Sequence, residues 1–175
     1  MSLRIRTWTP LVIIAALVVL AVGVRVVYPM VGPPLMINYT DSEPHGLYWL
    51  DVHKNGHYGR GQMVAFPVPE PFKELIYGRG WLARGLPLMK EIGALEGDRV
   101  CVDDAQETIN GKAVGPIFSA DSAGRPMPTI RGCYTVAPGY FLPLSTVVPK
   151  SFDGRYMGPQ PLAVIKGEAR SLWTF

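Results

Sequence analysis

The chain has 175 residues, 48% of them hydrophobic, which is enough for one domain with a real core. Its 19 glycines and 17 prolines exceed the usual share yet fall short of a low-complexity chain, so they point to short elements joined by turns and against an all-α bundle. The net charge of +3 resides in Arg4, Arg6 and Arg25; the rest of the chain balances 14 basic against 14 acidic residues with no basic cluster, which argues against a nucleic-acid binder.

From Leu11 to Val24 every residue is apolar or glycine, and Thr9 to Val31 makes 23 residues with Arg25 as the one charge. That length spans a hydrocarbon core of about 30 Å with some tilt. Arg25 can snorkel to an interface, and Tyr28 suits the same boundary. Residues 1–31 are therefore expected to be a cytoplasmic tip and an uncleaved anchor. A cleavable signal peptide ending near Ala21-Val22-Gly23 is the alternative. Under either reading the arginines at the start keep the N-terminus inside and send 32–175 across as one extracytoplasmic domain. Cys101 and Cys133 suit that compartment as a disulfide, or serve as two buried thiols. Neither has Cys-x-x-Cys or metal-ligand spacing, so no metal and no cofactor is expected.

Within the body, Gly46–Val52 alternates and is rich in aromatics, as a strand should be. Lys54-Asn55-Gly56 makes a turn, and Gln62–Pro67 reads as the returning strand. Pro71–Trp81 is expected to hold a short helix. Leu88–Leu95 is an apolar strand closed by Glu96-Gly97-Asp98, with Arg99–Val102 as its hairpin partner. Thr108–Val114 contains Asn110-Gly111, the strongest hairpin signal in the chain. Ser119–Thr129 is a polar loop. Gly132–Ala137 and Tyr140–Leu144 flank a Pro138-Gly139 turn, and Leu162–Lys166 reads as the last strand. Short strands at this spacing predict a mostly-β domain, sandwich or barrel-like, with little helix.

Three stretches could carry chemistry. In Asn38–Tyr48, Ser42 sits on a loop stiffened by Pro44 and ended by Gly46; the plain alternative is an ordinary turn into the first strand. On the strand Leu88–Leu95, Lys90 shares a face with Leu88 and Ile92, while Met89 and Glu91 share the other. If that face is buried, desolvation depresses the lysine's pKa and leaves a neutral amine fit to act as a general base; at a solvated edge it does neither. In Ser151–Pro159, Asp153 and Arg155 stand two apart, on one side of an extended segment together with Ser151, as an ion pair or as a solvated loop. The histidines form no constellation. His53 and His57 flank a turn, and His45 lies too near Ser42 in the chain to act with an orienting carboxylate behind it. There is neither a Gly-rich phosphate loop nor a G-x-S-x-G elbow.

An apolar N-terminal segment, then S-x-P-x-G-x-Y, then Lys with an x-x-G-x-x-G-D tail, then S-x-D-x-R-Y-x-G-P, spread in this order from Thr40 to Pro159, resembles the type I signal peptidase superfamily. The small size, the T-x-S-x-P-x-G-L-Y wording and the S-F-D-x-R-Y-x-G-P box are most similar to its conjugal-transfer branch, the TraF-type pilin-maturation serine peptidases. The chain departs from ordinary signal peptidases in having Glu43 where methionine usually follows the nucleophile. It also has Leu144-Ser145-Thr146 where a Gly-Asp-Asn stretch is usual, and Gly154 where serine is common.

The resemblance implies a Ser-Lys dyad, with Ser42 as nucleophile and Lys90 as general base. It implies an oxyanion site from the Ser42 backbone N–H and the Thr40 hydroxyl, a hydrogen bond from Ser151 that orients the Lys90 amine, and support from Asp153 and Arg155. Gly93, Gly97 and Asp98 are expected to be structural. The implied fold is a signal-peptidase-like antiparallel β domain with one N-terminal transmembrane helix and an apolar face on the bilayer. The implied place is the bacterial inner membrane, single-pass, with the catalytic domain in the periplasm. The implied partners are a pilin or preprotein substrate, the lipid bilayer and other conjugation-apparatus proteins, with no nucleic acid. In that branch the acyl-enzyme can be resolved by the pilin's own amine, giving a cyclic product. Two further readings remain: a general signal peptidase acting on secreted preproteins, and a non-catalytic secretion-apparatus component that keeps only the scaffold.

Overall fold

The computed structural model describes residues 9–31, 35–52 and 56–175, and within the first helix the side chains of 10–23 and 25. The chain divides into two units, Met1–Pro34 and Leu35–Phe175. In the first, α1 runs Thr9–Val31, the span its apolar run predicts, and its described side chains are exposed. Among the described residues no helix is long and apolar enough to cross a membrane. Arg4 and Arg6 lie outside the described residues.

The second unit is mostly β, and every strand pairing in it is antiparallel. Its strands are β1 (Leu35–Asn38), β2 (Gly46–Asp51), β3 (Met63–Phe66), β4 (Leu88–Leu95), β5 (Arg99–Val102), β6 (Gln106–Ile109), β7 (Lys112–Pro116), β8 (Gly132–Thr135), β9 (Tyr140–Leu144), β10 (Gln160–Pro161) and β11 (Gly167–Thr174). The only α-helices described in this unit are α2 (Lys73–Gly78), inside the window expected, and the one-turn α3 (Gly154–Met157). A seven-stranded sheet has the order β1-β2-β11-β3-β4-β9-β10, and a four-stranded sheet the order β7-β6-β5-β8.

Several expectations about pairing are corrected here. β3 does not return against β2, because β11 lies between them, pairing Ala169 with Leu50 on one side and Gly167 with Ala65 on the other. The turn expected between β2 and β3 falls partly on residues 54 and 55, outside the described residues, as does His53. β5 is not the hairpin partner of β4. The Asp98 carboxylate caps the turn by accepting the Leu95 N–H at 2.8 Å, two bonds from Arg60 at 2.7 Å and one from Asn110 at 2.7 Å, and the chain passes into the second sheet. The Arg60 bonds, chiefly, hold the Asp98 carboxyl down at about 2. The Pro138-Gly139 turn likewise leads from one sheet to the other. Turn residues announce a change of direction but not the strand that will be met afterwards. Finally, Leu162–Val164 is a 3₁₀ turn after Pro161, and the last strand begins at Gly167.

The Asn110-Gly111 hairpin forms as its sequence predicts, with φ of 50° and 79°, the pair of positive values a type I′ turn requires. Cys101 and Cys133 face each other across the β5–β8 ladder and form a disulfide. One core packs Val64, Phe66, Ile92 and Phe141 under Ile76 of α2 and Tyr156 of α3. Another gathers Ala94, Val100, Leu142 and Leu144. Burying each of the larger side chains stabilises by about 1.5–3 kcal/mol. At the β1-β2-β11 end of the large sheet the alternation leaves Leu35, Ile37, Trp49 and Trp173 on the exposed face.

Candidate active site

One asparagine shapes the loop between β1 and β2. Asn38, 6% exposed, donates from Nδ2 to the carbonyls of Glu43 (2.8 Å), Pro44 (3.1 Å) and Thr40 (3.2 Å). Its Oδ1 accepts the Thr40 N–H at 3.1 Å and the Thr40 hydroxyl at 2.7 Å. Tyr48 Oη closes the far end on the Pro44 carbonyl at 2.7 Å. Local side-chain bonding of this kind substitutes for ladder bonds and fixes an irregular segment. Half-buried Ser42 sits at its centre, its Oγ 3.1 Å from Thr40 Oγ1. Since the Thr40 hydroxyl gives its hydrogen to Asn38, it accepts from Ser42 in this arrangement. His45 Nε2 pairs with Asp41 at 3.0 Å on the exposed side.

Lys90 enters from β4, an interior strand flanked by β3 and β9, and is fully buried. The solvated-edge reading of this lysine is thereby removed. Its Nζ lies 3.4 Å from the Ser42 carbonyl oxygen and 3.3 Å from Glu43 Oε1. Burial pulls the amine's pKa down; the charges of Glu43 and then Asp153 oppose this. Glu43 is as deeply buried, and loss of water pushes its carboxyl up to about 7 against the pull of Lys90 and the Ser145 hydroxyl. Its Oε2 has no hydrogen-bond partner among the described residues. Motif reading registers Glu43 only as a departure from the usual methionine. Its link to Lys90 joins residues 47 apart, which no local signal announces.

The third stretch is not extended. Asp153 caps the turn of α3, and its side chain and that of Arg155 are wholly buried as a two-pronged pair, with bonds of 2.9 and 2.7 Å. Arg155 also donates to the carbonyls of Pro149 (2.8 Å) and Pro116 (3.1 Å), and Asp153 Oδ2 accepts the Ser145 N–H at 2.9 Å. Removing one member of such a buried pair costs about 3–5 kcal/mol, because the other charge is left stranded. Ser145, where the usual Gly-Asp-Asn stretch is missing, thus anchors the network through its backbone. Ser151 is buried, but its Oγ makes no hydrogen bond among the described residues, so the orienting bond to Lys90 is not formed here. Gly154 has its own reason. A Cβ there would stand 2.5 Å from the Pro143 carbonyl oxygen and 2.6 Å from Leu142 Cδ1, so the serine common at this place has no room. Behind the pair, Glu107 is buried with both oxygens unpartnered among the described residues, and desolvation pushes it up to about 8.

Three separate segments thus bring the Ser42 carbonyl, the Lys90 amine and a buried ion pair into one region, while the Ser42 hydroxyl bonds to Thr40. A desolvated amine near a serine can accept the serine's proton and activate it for acyl transfer. No group of side chains suited to a metal ion occurs among the described residues.

The signal peptidase family model, peptidase S26, matches residues 5–174. A plasmid transfer protein TraF of Escherichia coli is 35% identical over 137 residues, covering 70% of this chain and 73% of the relative. A conjugal transfer protein TraF of Agrobacterium fabrum (strain C58) is 33% identical over 147 residues, covering 79% and 82%. Among solved structures, a signal peptidase I from Enterococcus faecalis V583 is 23% identical, covers 64% of this chain and 96% of its own, and has a TM-score of 0.39.

Proposed function

Given that this chain belongs to the peptidase S26 family, the serine peptidases of signal-peptidase type, we propose that it is a membrane-anchored endopeptidase that matures a pilin precursor for a conjugation or type IV secretion system. Ser42 is the nucleophile and Lys90 the general base. The observation that carries this reading is the complete burial of Lys90, with its Nζ 3.4 Å from the Ser42 carbonyl. A lysine kept from water there has no structural purpose that leucine would not serve better.

In the proposed reaction Ser42 Oγ adds to the scissile carbonyl while Lys90 Nζ takes its proton. The oxyanion is met by the Ser42 backbone N–H and by the Thr40 hydroxyl, which must swing away from Asn38 to donate. Lys90 then returns the proton to the departing amine, leaving an acyl-serine that a water, or a well-placed amine of the pilin itself, resolves. The second outcome yields a cyclic subunit. Asp153 and Arg155 hold the loops around the lysine, and Ser151 stands close by in the chain as a further support. The β4–β9 ladder begins at Glu91 and Leu144, so Leu88–Lys90 pair only with β3 among the described residues. An extended substrate laid along the ladder-free side of these residues would find its backbone partners beside Lys90.

Three features support the anchor and the periplasmic placement. α1 contains the apolar run Leu11–Val24, the outward face of β1-β2-β11 carries Leu35, Ile37, Trp49 and Trp173, and the disulfide suits an oxidising compartment. The names of the relatives favour conjugal transfer, and with it further proteins of that apparatus as partners, over general preprotein cleavage.

The test is intact mass spectrometry of the candidate pilin, co-expressed with the wild-type chain or with Ser42→Ala. Shortening by the wild type alone is expected, and a product lighter than the linear one by a single water marks cyclisation. Equal processing by both chains rejects Ser42 as nucleophile.

A further inference from the structure

Glu43 immediately follows the proposed nucleophile, yet its side chain points inward and ends on the proposed base. The loop holds it there. Its own carbonyl is fixed by Asn38 Nδ2 at 2.8 Å and the next residue is proline, so the carboxyl has little freedom to leave. Oε1 lies 3.3 Å from Lys90 Nζ; both side chains are buried, 1% and 0% exposed, and Oε2 has no hydrogen-bond partner among the described residues. A buried carboxylate held only by this long bond and the Ser145 hydroxyl is poorly stabilised, and so is a buried ammonium whose other contact is a carbonyl 3.4 Å away.

We infer, building on the Ser42–Lys90 reading of the site, that Glu43 is a positioning residue for the base: it seats the Lys90 amine behind Ser42 and holds one proton in common with it. When that proton moves from Nζ to the carboxylate, an ammonium and a carboxylate become a neutral amine and a neutral acid, with net charge unchanged and no path to bulk water needed. The neutral amine then accepts the proton of Ser42 Oγ. While Glu43 is ionised it instead keeps Lys90 protonated, so the proton affinity of the base is set by its neighbour.

Other groups act on this couple and are common to all variants considered. Asp153 and Arg155 act on Lys90 from the α3 turn, with opposite signs. Glu91 on β4 and the Ser145 hydroxyl after β9 act on Glu43, which in turn acts on Tyr48 of β2. Among the described residues none of them hydrogen-bonds to Nζ, which is why Glu43 is the member expected to dominate.

The direct test follows Lys90 by NMR in the full-length chain, labelled with [ε-13C]lysine and held in detergent micelles. The sequence has six lysines, and the Lys90 signal is identified by its absence from Lys90→Met. In Glu43→Gln the titration midpoint of Lys90 is expected to fall by one pH unit or more, a tenfold loss of proton affinity, with the acid limb of kcat/KM moving alongside. A midpoint that stays in place overturns the inference. If Glu43→Gln does not fold, Glu43→Asp carries the test: drawing the carboxyl back by one methylene lowers the midpoint by a smaller step, and no movement overturns the inference equally. A moved midpoint with an unmoved kcat/KM limb upholds the Glu43–Lys90 couple and removes Lys90 as the base, so the two readings fail separately.

Discussion

A lysine amine in water holds its proton at any pH below about 10, and a base that is never vacant cannot accept the proton of a serine. Lys90 escapes this because burial disfavours the charged form more than Glu43 and Asp153 restore it. The sign follows directly. With its affinity lowered from the ordinary value, the amine empties as pH rises through the depressed pKa, so activity is expected to climb with pH there and to fall away on the acid side. Lys90→Arg is expected to lose about 10²–10⁴-fold in kcat, the usual share of a general base, since guanidinium stays charged. A pH–rate profile on a pilin-derived peptide checks both, and a near-normal rate in Lys90→Arg would remove the lysine from the mechanism.

At the scale of elements, the S-F-D-G-R-Y-M-G-P segment ties chemistry to packing. Asp153 opens one turn of helix, Arg155 folds back onto it, and Phe152 lies between Tyr156 and the rings of Phe72 and Trp81 beside α2, at 5.5–5.6 Å. Gly154 lets that turn touch β9. Gly154→Ala is therefore expected to cost about 1–3 kcal/mol through overpacking against Pro143 and Leu142, and to lower activity by moving Asp153. A thermal melt alongside a cleavage assay measures both, and an unchanged melting point would mean that β9 yields more readily than its buried position implies. Strand existence was legible here wherever alternation or a turn pair was strong, as in Leu88–Leu95 and Asn110-Gly111. Pairing was not, because β2, β3 and β11 carry equally good patterns and nothing local says that the last goes between the first two. The same holds within the site. Ser42, Lys90, Asp153 and Arg155 could be picked out by motif order, whereas Glu43 and Ser145 act through contacts that exist only once distant segments have come together, and Asn38 through a local loop geometry that its residue type alone does not announce. The helical turn at Gly154 was hidden by glycine, a residue that does not advertise helix.

The whole body depends on a join that its cores do not supply. The Cys101–Cys133 disulfide closes β5 on β8 across 32 residues, a span that includes β6, β7 and the loop whose Phe118 N–H meets Tyr156 Oη at 3.0 Å. For a loop of this length the chain-entropy model gives about 3–4 kcal/mol. Reduction, or the paired change of both cysteines to serine, is expected to lower the melting temperature by roughly 10 °C. Differential scanning calorimetry with and without reductant decides it; coincident traces would leave the bridge with no part in stability.

The position of β11 has a consequence in time. Ser42 hangs from β1 and β2, while Lys90 belongs to the β3–β4 side, and the strand that stitches the two sides together is the last of the described strands to be synthesised. A ribosome that has delivered everything up to Lys166 has made both halves of the proposed dyad without the seam that aligns them. The order of the strands thus imposes a silence on the nascent chain: the two sides of the proposed dyad stay unaligned until the strand that joins them has been made.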